Sequence, residues 1–181
     1  MAERLVPVDL KKIRITDELF GGYARLISEK VIPYQWDILN DRAEGADPTY
    51  CMQNFRIAAG EQKGERKGVV FEDSDLYKWI EAASYAVANG SGDAFRADLE
   101  NVIALLGKVQ QEDGYLNTFF SFANKGKRYT NLMEGHELYC AGHLIEAAVA
   151  YTDATGDRAL LQIAMKYADL ICRTFGTGEG Q

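Results

Sequence analysis

An all-α chain, built from repeated helical hairpins that form part of a closed α/α toroid, is the fold class the sequence predicts. Three observations lead to it. Apolar residues recur at helical spacing in successive stretches. Two helix-to-helix links are short and carry Gly-Asp. A string also repeats, Ile80-Glu81-Ala82-Ala83 returning as Ile145-Glu146-Ala147-Ala148, each followed by its link at Gly92-Asp93 and Gly156-Asp157. Short links force antiparallel neighbours, so each repeat is one helical hairpin. Residues 41–72 and 114–134 are longer than the roughly 12 to 15 residues at which structureless loops become uncommon in compact domains. Such loops suit the mouth of a toroid's central pit, whereas an open solenoid keeps its links short. Two to three hairpins are too few to close the ring.

The elements follow in order. Thr16 before Asp17 and Glu18 reads as the cap of a helix running to about Asn40, interrupted or kinked at Pro33, which has no N–H to give. The glycine-bearing stretch 41–72 reads as a long loop with a short strand. From Asp73, the stripe Leu76, Ile80, Ala83 and Val87 predicts a helix closed by Asn89-Gly90. Asp93 is positioned to cap the next, whose stripe is Phe95, Leu99, Val102, Leu106 and Val109 and whose end is Gly114. An aromatic segment (Tyr115, Phe119, Phe120, Phe122, Tyr129) precedes a helix from about Gly135 to Thr155, and Gly156-Asp157 leads into a last helix reaching about Phe175.

Composition sets outer limits. With 47% hydrophobic residues, 181 residues suffice for a globular core, and a net charge of -7 argues against a phosphate backbone or an anionic membrane as partner. The basic stretch Lys63 to Lys67 contains Gly64 and Glu65 and reads as a solvated loop. Met1 to Leu10 lacks the apolar core of a signal peptide and no run is long enough to span a bilayer, so the chain as given reads as cytoplasmic. Cys51, Cys140 and Cys172, odd in number and far apart, fit reduced thiols.

The richest string for chemistry is Met133-Glu134-Gly135-His136-Glu137-Leu138-Tyr139-Cys140-Ala141-Gly142-His143. At helical spacing His136, Cys140 and His143 share a small, polar face with Tyr139, Ala147 and Ala150, while Leu138, Ile145 and Val149 form an apolar face to pack on another helix. Three readings of the polar face stay open: a metal site, two histidines bonded to neighbouring helices, or sugar-orienting side chains beside a pocket. The metal reading lacks the His-Glu-x-x-His spacing and any carboxylate on the same stripe. Asp73, Ser74 and Asp75 open a helix, where capping is the plainer role, and Trp79 reads as core before sugar platform. Glu137 has no sequence-visible partner for paired-carboxylate chemistry. Serine-triad order, phosphate loops and dinucleotide fingerprints do not occur.

Several of these strings, in order, resemble glycoside hydrolase family 127, the β-L-arabinofuranosidase family. They are Ile32-Pro33-Tyr34-Gln35-Trp36, Gln53-Asn54-Phe55-Arg56, Phe71 to Ala82, Gln111 to Thr118, and His136 to His143. The resemblance runs from about Val8 to the end. It implies that 1–181 is the N-terminal portion of an α/α six-hairpin barrel, with the remaining barrel and β-sandwich domains outside the chain. It further implies retaining hydrolysis of terminal β-L-arabinofuranosides by a zinc-bound cysteine nucleophile and a glutamate acid/base, all downstream of Gln181. Zinc would then belong to the complete protein, and no catalytic residue or metal ligand would lie in this chain. His136 carries over as a sugar contact, with His143, Asp73, Asp75, Gln35 and Asn117 as further substrate-binding candidates. A sugar epimerase on the same toroid, or a helical-repeat binding scaffold, are the alternatives. The expected partner is a small-molecule or oligosaccharide substrate, with self-association through exposed apolar faces.

Overall fold

The computed structural model describes residues 5–6, 8–122 and 124–178, and among them it contains helices and no strand. The first long helix is continuous across Pro33. It consists of α1 (Glu18–Leu26), a π-helical turn (Ile27–Val31) and α2 (Ile32–Leu39). The π turn ends just before the proline, with the Ile32 N–H reaching back to the Ile27 carbonyl. The expected kink is therefore absorbed as a widened turn upstream of the residue that cannot donate. Asp17, not Thr16, caps the helix, accepting the Phe20 N–H at 2.7 Å.

Within the expected loop 41–72 lies α3 (Cys51–Ala58), and the expected strand is absent among the described residues. Cys51, Met52 and Phe55 bury one side of α3, and Tyr50 enters it from a left-handed conformation at φ 62°. Arg66 departs from the solvated reading of its stretch. Its guanidinium donates to the Gly68 carbonyl at 2.7 Å and to that of Val69, and lies 4.9 Å over the Phe119 ring.

Two hairpins form the body: α4 (Asp73–Asn89) with α5 (Arg96–Val109), and α8 (Glu137–Thr155) with α9 (Ala159–Thr174). Gly90, left-handed at φ 88°, closes α4 as its position predicts. A 3-10 turn (Asp93–Phe95) leads into α5, and Asp93 pairs with Arg96 at 3.0 Å instead of capping. α8 packs between α4 and α9, and α5 between α3 and α9. With each hairpin antiparallel, α4 and α8 run parallel in one layer and α5 and α9 in the other, the stacking expected of consecutive toroid repeats. Alanines 83, 141, 147 and 148, all buried, let the α4 and α8 backbones approach closely. Trp79 is core, stacked on Trp36 at 4.2 Å with its indole N–H on the Ile32 carbonyl at 3.1 Å. No helix among the described residues is long and apolar enough to cross a membrane.

α5 stops at Val109, and Gly114 lies beyond it in a turn against α9. Its φ is +97°, and a Cβ there would sit 2.4 Å from the Lys166 carbonyl oxygen. Backbone on both sides leaves no side chain to yield. Gly114→Ala is expected to cost about 2 to 4 kcal/mol, combining left-handed strain with overpacking. Urea denaturation checks this, and a loss below about 1 kcal/mol would show that the loop relaxes freely.

Candidate functional site

The segment between the hairpins carries α6 (Thr118–Ser121) and α7 (Leu132–Gly135), and one buried carboxylate ties it down. Glu137 accepts the Tyr115 hydroxyl on one oxygen and the Tyr129 N–H, at 2.6 Å, on the other. Burial pushes its pKa up, partly offset by those two donors and by Arg128. Arg128 lies 3.7 Å over the Tyr115 ring and pairs with Asp113 at 2.7 Å. This anchorage fixes what precedes it. His136 stands between α7 and α8 in the left-handed region at φ 53°, an uncommon place for a residue with a Cβ.

His136 is therefore not on the helix face that spacing assigns it. Its Nδ1 donates to the Glu134 carbonyl at 2.8 Å, so Nε2 is the nitrogen left for a ligand. Cys140 also leaves the polar face: it is buried, with its thiol toward the Phe71 carbonyl. The faces of α8 are in fact reversed from the expectation. Cys140, Ala147 and Ala150 are core, whereas Leu138, Ile145 and Val149 are exposed.

What remains open to solvent is a polar and aromatic row across α4 and α8. The His136 ring lies 5.2 Å from Phe71 and 5.8 Å from Tyr139, and Tyr139 meets His143 edge-on at 4.6 Å. Lys78 lies 5.2 Å over the Tyr139 ring and is held at 3.1 Å by both Asp75 and Ser74. Burial works against its ammonium, but hydrogen bonding to Tyr139 and Asp75 outweighs it and raises the pKa. Of the six candidate residues, the structure thus brings His136, His143 and Asp75 to one surface. Gln35 is exposed on α2, which packs on α4. Asp73 and Asn117 lie beneath. Asp73 accepts the Thr118 N–H at 2.6 Å and its hydroxyl at 2.5 Å, while the Asn117 side-chain Oδ1 caps α6 by accepting the Phe120 N–H at 3.0 Å. Lys78 and Glu146 are members the sequence reading missed. Their i+3 spacing from Asp75 and His143 is the signal that could have found them.

Residues 12–181 match the family described as beta-L-arabinofuranosidase, GH127 catalytic domain. The chain belongs to this family. A curated relative, the non-reducing end beta-L-arabinofuranosidase of Bifidobacterium longum subsp. longum, is 37% identical over 93% of this chain and 28% of its own length. Among solved structures, a GH127 beta-L-arabinofuranosidase from Geobacillus stearothermophilus T6 is 51% identical with a TM-score of 0.90, over 93% of this chain and 26% of that one. A second GH127 beta-arabinofuranosidase is 32% identical with a TM-score of 0.84, over 97% of this chain and 28% of that one. The chain spans about a quarter of the length of these GH127 proteins, and its helices are part of their α/α barrel.

The zinc–thiolate centre that the GH127 resemblance implies does not fit the cysteines present. All three are free. Cys51 and Cys140 are buried and their thiols pushed well up by desolvation, the opposite of what a thiolate ligand needs. Among the described residues, the one group of His, Cys, Asp or Glu close enough to share an ion contains no cysteine.

Proposed function

We propose that this chain is part of a retaining glycoside hydrolase acting on terminal β-L-arabinofuranosides, and that it supplies sugar-orienting residues to chemistry performed by groups outside it. The observation that carries the reading is His136, in the His-Glu-Leu-Tyr string of the GH127 match, held left-handed at the surface with Nε2 free of its one fixed hydrogen bond. Backbone strain at a half-buried histidine is kept by a buried carboxylate next door, which suits a side chain whose aim matters. His143 and Asp75 border the same surface, and aromatic Tyr139 between them offers a ring to an apolar sugar face. Zinc, in this proposal, is bound elsewhere in the complete protein. The cytoplasm is the proposed compartment, in keeping with free thiols at Cys51, Cys140 and Cys172.

The test uses the whole protein that carries this chain and a chromogenic β-L-arabinofuranoside. His136→Ala is expected to lower kcat/KM on the order of 100-fold, the scale of losing one positioned polar contact to the transition state. An unchanged kcat/KM would remove His136 from the site. Interconversion of free sugars without glycoside cleavage would favour the epimerase reading.

A further inference from the structure

We propose that Glu81 of α4, with His143 and Glu146 of α8, binds one divalent transition-metal ion that clips the two helices together. One ligand atom from each of the three lies within 4.8 Å of the others. Two ligands at about 2.0 to 2.2 Å from a common zinc ion stand at most about 4.4 Å apart, so small side-chain adjustments close the set. This corrects the sequence expectation that no carboxylate shares the histidine stripe: Glu146 does, three residues on, and α4 adds Glu81.

Independent support comes from the imidazole. Nδ1 of His143 is shut off from solvent and makes no hydrogen bond, although it stands 3.3 Å from a Glu146 oxygen. The distance suits an ion pair and the direction does not, which leaves a buried nitrogen whose bonding capacity no protein group uses. The neighbours also hold the ligands in place, as outer partners of metal sites do. Tyr85 donates its hydroxyl to Glu81 at 3.1 Å, and the Tyr139 ring packs edge-on against His143. Two carboxylates and one neutral imidazole carry a net charge of -2, which favours a cation. The nearby Lys78 is engaged by Asp75 and Ser74.

The donor set names the class of ion. One nitrogen with two oxygens and no thiolate suits zinc, manganese, iron(II) or cobalt, and the imidazole disfavours magnesium and calcium. Three protein ligands leave a further position open to water or a ligand. The inference does not rest on the arabinofuranosidase reading.

Zinc alone is titrated calorimetrically into the 181-residue chain carrying Cys172→Ser, which removes the exposed thiol as a competing ligand. One saturable ion per chain is expected, and this ratio is independent of self-association. Glu81→Gln, His143→Gln and Glu146→Gln are each expected to weaken binding by on the order of 10- to 100-fold, and His136→Ala to leave it unchanged. Zinc is also expected to raise the melting temperature of the intact chain and not of the three variants. Circular dichroism identifies any variant that fails to fold, and the two glutamates, being less buried than His143's ring nitrogen, still decide the matter. Absence of a saturable 1:1 site, or binding that survives these substitutions or moves to His136, overturns the proposal.

Discussion

Asp73→Ala is expected to destabilise the chain by about 3 to 5 kcal/mol, because both carboxylate oxygens are committed to one buried residue. They accept the Thr118 N–H and hydroxyl at 2.6 and 2.5 Å, joining the start of α4 to the start of α6 across 45 residues of sequence. Alanine would leave both Thr118 groups buried without acceptors, each costing about 1 to 3 kcal/mol. Asp75, two residues on, is the control. It is partly exposed and pairs with Lys78, so Asp75→Ala should change stability by at most about 1 kcal/mol. The pH dependence follows from the direction of the Asp73 shift. Burial raises its pKa, with the Thr118 hydrogen bonds and Arg66 pulling the other way. A carboxyl raised in the folded state contributes its full stability below its unfolded pKa of about 3.8 and loses it as pH climbs through the folded value. The stability gap between the parent chain and Asp73→Ala should therefore narrow as pH rises through that window. Urea denaturation across a pH series measures it. A gap that widens with pH would show that hydrogen bonding to the carboxylate outweighs burial, and equal losses for both aspartates would show that the Thr118 pair is not holding the loop.

The hairpin helices were legible because their stripes are the core: Leu76, Ile80, Ala83 and Val87 bury α4, and Leu99, Val102 and Leu106 bury α5. α3 was not, because eight residues between glycines give little periodicity and its entry depends on a left-handed Tyr50. Trp79 was read correctly as core from its place among those stripes. The break at His136 had no local signal either. Gly135 reads as a tolerable helix residue, and what forces the break is Glu137 reaching back to Tyr115 and Tyr129, contacts 22 and 8 residues distant. The reversal of the α8 faces has a similar origin. Apolar character favours burial of Leu138, Ile145 and Val149, but close packing on α4 requires small side chains, and those are Ala141, Ala147 and Ala148. The repeat makes the consequence visible. Ile80 is fully buried, whereas its counterpart Ile145 is 37% exposed.

That asymmetry leads to the remaining expectation: residues 1–181 produced alone hydrolyse no glycoside and associate with one another in solution. Inactivity follows from what the carboxylates are doing. Asp73 and Glu137 are buried and spent on Thr118, Tyr115 and Tyr129, and the buried thiols are held protonated. On the proposed reading, a sugar oriented by His136 still needs a nucleophile and an acid from outside the chain, since orientation accelerates a reaction only where a reacting group is also placed. Association follows from surface. Along α1, the π turn and α2, Leu19, Phe20, Tyr23, Leu26, Ile27, Val31 and Tyr34 fall on one stripe and are all exposed, Phe20 by 63%, and α8 adds Leu138, Ile145 and Val149. Both rows lie on helices at the flanks of the α4 layer, where further hairpins of a toroid would pack, and contiguous exposed apolar rows favour association. Light scattering with size exclusion should find dimers or larger species, and paired substitutions such as Phe20→Lys with Val149→Lys should shift them toward monomer. A monodisperse monomer with a cooperative melt would show that these faces are tolerated in water. Turnover of an arabinofuranoside by the chain alone would mean that its own carboxylates or thiols do the chemistry after all.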